Sequence, residues 1–91
     1  MNLKLRDDVT ATSTEYGLVL LDETGGEYWN LNPTGTLVVR TIIEGGTPQQ
    51  AARMLADEYR VEDATAAADV DELLSQLRSS GLVEVEGGES R

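Results

Sequence analysis

Gly26-Glu27-Tyr28-Trp29-Asn30-Leu31-Asn32-Pro33-Thr34-Gly35 holds the end of a turn, a strand and the start of a helix in one run. Gly25-Gly26 supplies the backbone freedom of a tight reversal. Tyr28, Trp29 and Leu31 favour an extended, half-buried strand. Asn32 offers a side-chain cap, and Pro33 brings a φ already set for the first helical position. Because strand gives way to helix so abruptly, the strand's position is fixed by the helix that follows it. An edge held in this way suits contact with something outside the chain.

Upstream, Gly17-Leu18-Val19-Leu20-Leu21-Asp22 is a short apolar run bounded by glycine and by Asp22-Glu23-Thr24-Gly25-Gly26, which reads as a strand covered on both faces. The glycine turn joins it to residues 27–31 as a hairpin. Residues 9–14 are small and β-branched, the signature of an exposed first strand. Together they predict a three-stranded antiparallel meander with the third strand, residues 27–31, at one edge.

Downstream, Leu37, Val38, Ile42 and Thr41 fall on one side of a helix that Gly45-Gly46 stops. Thr47-Pro48-Gln49-Gln50 is a capping box, and the helix it opens is expected to turn Ala51, Ala52, Leu55, Ala56 and Tyr59 inward. A last helix spans residues 65–80, with Val70, Leu73, Leu74 and Leu77 in one apolar stripe. Gly81 ends it. Leu82-Val83-Glu84-Val85 alternates as an extended segment that can return to the core, and the polar residues 86–91 are expected to form a flexible tail. Strands segregated from helices predict an α+β fold in a single domain over residues 1–85.

The chain has 91 residues, 40% of them hydrophobic, enough for one modest core. It has neither cysteine nor histidine, so disulfides, thiolate metal sites and the commonest general base are all absent. Neither a cofactor nor a metal is implied. Seven basic against seventeen acidic side chains give a net charge of -10, which repels phosphate backbones and anionic lipid. Nucleic acid and membrane are disfavoured partners. With no apolar run of signal-peptide or membrane-span length, the expectation is a cytoplasmic protein.

Leu20-Leu21-Asp22, the run from Glu27 to Gly35, Thr47-Pro48-Gln49-Gln50-Ala51-Ala52, and Asp69-Val70 through Leu77 ending in Gly81-Leu82-Val83 together resemble the family of the pyrroloquinoline-quinone biosynthesis D protein (PqqD). Within that PqqD-like group they are most similar to the small stand-alone leader-binding proteins of lasso-peptide biosynthesis. The resemblance covers essentially residues 7–85. It implies a winged helix-turn-helix preceded by a three-stranded sheet, acting as a recognition element for ribosomally made precursor peptides. The precursor's leader peptide would add as an antiparallel strand to residues 27–31, over a groove against the third helix. A separate cysteine-type leader peptidase would then act on the tethered substrate, and the chain itself would be no enzyme.

The residues permit this reading. An edge strand offers unpaired backbone groups that an extended peptide can satisfy. The candidate contacts are Glu27, Tyr28, Trp29, Asn30 and Leu31 on the strand, and Asp69, Val70, Leu73, Leu74, Leu77 and Arg78 on the last helix. Strand alternation puts Tyr28 and Asn30 on one face and Trp29 and Leu31 on the other, and leaves open which face is core; the favoured arrangement packs Trp29 and Leu31 towards the helices. Most of the helical stripe serves as core, with its margin free to line the groove. Asp69, Asp71 and Glu72 read first as a solvated face, and alternatively as partners for basic residues of a leader.

Other classes fit less well. A DNA-reading helix brings Arg and Lys to the duplex, whereas here Asp69, Asp71 and Glu72 face Arg78 alone. The paired carboxylates at Asp7-Asp8, Asp22-Glu23, Asp57-Glu58 and Glu62-Asp63 lack a neighbouring base or nucleophile. Gly25-Gly26 and Gly45-Gly46 lack the Lys-Ser/Thr ending of a phosphate loop, and Asp69-Val70-Asp71-Glu72 lacks the glycine and spacing of a calcium loop. A structural or dimerising module, pairing the same edge with its twin, stays open.

Overall fold

A computed structural model describes residues 3–85. In chain order the elements are β1 (Leu3–Leu5), β2 (Val9–Thr14), β3 (Gly17–Asp22), β4 (Glu27–Asn30), α1 (Pro33–Ile43), α2 (Pro48–Tyr59), α3 (Asp63–Ser79) and β5 (Val83–Val85). Strands β2, β3 and β4 form an antiparallel sheet in that order, which leaves β4 at an edge. Three helices follow, giving the expected α+β, winged helix-turn-helix architecture. β1 and β5 make a separate antiparallel pair, with Leu3 opposite Val85 and Leu5 opposite Val83.

That pair is only half anticipated. Val83–Val85 returns to the core as expected, but Leu3-Lys4-Leu5 is too short to display a strand period of its own. The polar segment 86–91 lies outside the described residues.

Local chemistry sets the helix starts. Asn32 Oδ1 accepts from the Gly35 N–H at 2.8 Å, and Pro33 takes the first turn of α1. At α2 the capping box is complete: Gln50 N–H donates to Thr47 Oγ1 at 3.1 Å, and Thr47 N–H donates to Gln50 Oε1 at 2.8 Å. α3 begins at Asp63, ahead of the expected residue 65, without a side-chain cap. The carboxylate of Asp63 in its first turn favours the positive end of the helix dipole instead.

One core joins these elements. Leu18 and Leu20 of β3 meet Leu31, then Val38, Val39 and Ile42 of α1, Ala51, Leu55 and Ala56 of α2, and Ala66, Val70, Leu74 and Leu77 of α3. Two expectations need correction. β3 buries only one face: Leu18 and Leu20 are inside, whereas Val19 and Leu21 are half-exposed, because the helices cover a single side of the sheet. Tyr59 is 42% exposed, since as the last residue of α2 it lies beyond the stripe made by Ala51, Leu55 and Ala56.

The junction of sheet and first helix is held by an inserted hydroxyl. Leu31 N–H donates to the Leu18 carbonyl at 2.9 Å, but Leu18 N–H donates to Thr36 Oγ1 at 3.0 Å, and that hydroxyl donates onward to the Leu31 carbonyl at 3.4 Å. Gly17 makes this approach possible. Its φ is 144°, and a Cβ there would lie 2.7 Å from the Leu31 carbonyl oxygen and 2.9 Å from Thr36 Oγ1. Gly17→Ala is therefore expected to cost about 1–3 kcal/mol of stability, read as a lower urea midpoint at unchanged slope.

At the other end of the hairpin, Asp22 Oδ1 accepts from the N–H groups of Thr24 and Gly25, both at 3.1 Å. The Thr24 hydroxyl donates to the Asp8 carboxylate, and Glu23 N–H donates to the Asp8 carbonyl at 2.9 Å. The Thr24 hydroxyl holds the Asp8 carboxyl below the ordinary carboxylate range; partial desolvation opposes it, while the residue's own backbone amide and the Arg6 guanidinium add to it. The β3–β4 turn is thus tied to the segment between β1 and β2.

Candidate functional site

Register decides what β4 offers to solvent. Val19 lies opposite Asn30, Leu20 opposite Trp29, Leu21 opposite Tyr28 and Asp22 opposite Glu27. In an antiparallel ladder, residues alternately turn their backbone groups towards the partner and away from it. Since Leu31 N–H bonds to Leu18, residues 27, 29 and 31 face β3. The amides and carbonyls of Tyr28 and Asn30 therefore point outward from the edge.

Side chains follow the complementary alternation. Leu31 is 8% exposed and Trp29 is partly buried against the core, while Tyr28 is 69% exposed and Asn30 and Glu27 are also exposed. The inward pair is thus Trp29 and Leu31. Trp29 sits directly opposite Leu20, which is fully buried, so the indole is anchored from below and open at its rim.

Beside that edge runs a groove formed by two adjoining hollows. The first, about 330 Å³, has Trp29, Asn30 and Leu31 on the strand side, with Asp69, Leu73 and Gln76 of α3 facing them. Its floor comes from Gly35, Val38 and Leu55. The second, about 380 Å³, continues from Trp29 and Gln76 to Glu72, Ser75, Ser79 and Ser80. Trp29 and Gln76 belong to both and so mark their junction. Apolar surface lies deep and polar groups stand at the rim, the usual make-up of a site that takes an apolar side chain and fixes its orientation.

The structure therefore gathers Trp29, Asn30, Leu31, Asp69 and Leu73 on one groove. It separates the remaining helical candidates from them. Val70 and Leu74, 2% and 5% exposed, form the base of a different hollow of about 670 Å³ between α2 and α3, with Arg78 and Asp71 at its rim. Leu77 is wholly buried. Gln76 was not anticipated, although its place three residues after Leu73 and seven after Asp69 puts it on the same helical face. Asn32, the helix cap, and Thr34 and Gly35 in the helix's first turn also form the groove's end.

Asp69 and Glu72 give the α3 wall a negative charge, and the residues lining the two hollows include no lysine or arginine. No group of three or more metal-ligating side chains occurs among the described residues. No helix among them is long and apolar enough to cross a membrane.

Fold and groove define a small winged helix-turn-helix domain carrying an open-edged sheet beside its last helix. The chain belongs to the coenzyme PQQ synthesis protein D (PqqD) family, whose pattern matches residues 17–83. It is similar in structure to a lasso peptide synthetase B1 solved with its leader peptide, at 36% identity, with a TM-score of 0.87 over 93% of this chain and 100% of that one. It is also similar to TbiB1 in complex with the TbiA(beta) leader peptide, at 26% identity, with a TM-score of 0.84 over 96% of this chain and 99% of the other. A sequence comparison with curated proteins finds no match.

Proposed function

We propose that this chain binds the leader segment of a ribosomally synthesised precursor, of the lasso-peptide type, and presents it to a separate cysteine-type leader peptidase. The observation that carries this reading is the open edge of β4 running alongside an apolar-floored groove. The leader extends the sheet by pairing with the outward amides and carbonyls of Tyr28 and Asn30. Each such bond is worth roughly 0.5–1.5 kcal/mol net, so side chains seated in the hollows supply the larger share of the affinity. The solved complexes of two similar proteins with leader peptides support the same ligand class. In this reading the chain does no chemistry, needs no cofactor and works in the cytoplasm, where precursors are made. The contacts are Trp29, Asn30, Leu31, Asp69 and Leu73, with Tyr28 contributing backbone and Glu27 standing at the strand's start.

A pair of proline variants tests the strand-addition step. Asn30→Pro deletes an outward N–H and leaves the β3 ladder whole, because proline is tolerated at a strand edge where its nitrogen faces solvent. Ala11→Pro does the same on β2, where Glu23 N–H bonded to the Asp8 carbonyl sets the alternation that turns Ala11 outward. By fluorescence anisotropy with synthetic leaders of precursors encoded beside this chain, Asn30→Pro is expected to weaken binding about tenfold, and Ala11→Pro to leave it unchanged. Equal affinities for the two variants would remove the β4 edge from the mechanism.

A further inference from the structure

The groove's two walls differ in charge, and the difference bears on which leader fits. On α3, Asp69 opens the first hollow and Glu72 the second. Three residues apart on a helix, they are neighbours, with roughly 5–6 Å between Cβ atoms. Neither takes part in an ion pair among the described residues, where Lys4, Arg6, Asp7, Asp8 and Glu84 account for the pairs present. Both are exposed at the rim, while Leu73, next after Glu72 and one turn on from Asp69, is half-buried. Trp29, shared by the two hollows, provides apolar surface across the groove from the carboxylates.

We infer that Asp69 and Glu72 act together as a specificity element, selecting a leader that places one lysine or arginine side chain over the α3 wall. The inference rests on the leader-binding reading above and deepens it by naming the chemistry of one ligand residue. A single cationic head between two carboxylates one turn apart interacts with both. Its aliphatic stem lies across Leu73 and Trp29, as long cationic side chains do on apolar surface, and the indole face adds to the attraction for the head. An acidic leader residue at the same place meets two like charges and no counter-ion from the groove. The carboxylates thereby discriminate more than they bind, the general role of rim charges.

α3 supplies its own control. Asp71 lies between the two in sequence yet borders the α2–α3 hollow on the far side of the helix, in company with Arg78. Replacing any of the three by lysine changes the net charge equally and the groove unequally.

The test is anisotropy titration of a fluorescein-labelled leader of the precursor encoded beside this chain, and of a copy with its lysines and arginines replaced by glutamine. Circular dichroism checks the fold of each variant. Against the native leader, Asp69→Lys combined with Glu72→Lys is expected to weaken binding about tenfold, and Asp71→Lys less than twofold. Raising salt towards 1 M should narrow the gap, because these groups are exposed. The glutamine leader should bind the wild type several-fold more weakly than the native leader, and should bind Asp69→Asn with Glu72→Gln no more weakly than the native leader does. Equal loss from Asp71→Lys and from the groove pair, or an undiminished glutamine leader, overturns the specificity element while leaving leader binding intact. Absence of binding by wild type to either leader overturns the leader-binding reading itself.

Discussion

Leu77→Ala is expected to lower the free energy of unfolding by about 2–5 kcal/mol without altering the affinity of the protein that remains folded. Leu77 is one of the largest fully buried side chains, and the helix that carries it is closed immediately afterwards by Leu82 N–H bonding to its carbonyl at 2.9 Å. Removing its outer carbons leaves a cavity where α3 meets the rest of the core, and the surrounding helices collapse into it only in part. For a domain of this size, whose total stability is of order 5–15 kcal/mol, that loss corresponds to roughly 10–30 °C in melting temperature. Thermal unfolding by circular dichroism measures the first half of the expectation. The second half is an anisotropy titration at low temperature, where the variant is folded; its Kd should lie within about threefold of wild type. A variant that melts normally and binds no leader would instead place Leu77 in the ligand's path.

Trp29→Ala should show the converse balance. The indole is packed against the core on one side and forms the junction of both hollows on the other, so its removal erases the shared wall of the groove. A buried aromatic anchor at the centre of an interface is worth 2 kcal/mol or more, which is about a thirtyfold loss of leader affinity. The cost to folding is smaller because the ring is only half-buried and β4 lies at the sheet edge, held by Leu31 and the Asn32 cap on its far side. Melting curves and titrations on the same preparation separate the two effects. Unchanged Kd in a folded Trp29→Ala protein would remove this groove as the leader site.

What could be read in the residues was what is decided locally. Asn32, Thr47 and Gln50 announce helix starts because each side chain accepts from a backbone N–H three residues away, and no distant contact is needed. The edge position of β4 followed from the hairpin turn and the immediate entry into α1. β1 was out of reach for the opposite reason: Leu3-Lys4-Leu5 becomes a strand only through pairing with residues eighty positions further on.

The candidate site was legible in part. Periodicity identified the apolar stripe of α3, but a stripe has two flanks, and only the placement of α2 and β4 around the helix shows that Asp69, Leu73 and Gln76 border the strand while Asp71, Leu74 and Arg78 border α2. The same ambiguity affected β4, where alternation alone permitted either face to be core. Burial of Leu31 and anchorage of Trp29 on Leu20 decide it.

The Thr36 hydroxyl, interposed between the Leu18 amide and the Leu31 carbonyl, bears on the entropy of association. It ties the sheet to the first helix, which supplies Gly35 and Val38 to the floor of the groove. The template for an added strand is thus in place before any peptide arrives. Fixing a residue's backbone costs about 1–2 kcal/mol, and here that cost falls on the incoming chain alone instead of on two chains at once. For an edge whose outward backbone groups are those of Tyr28 and Asn30, such preorganisation lowers the cost of adding a strand.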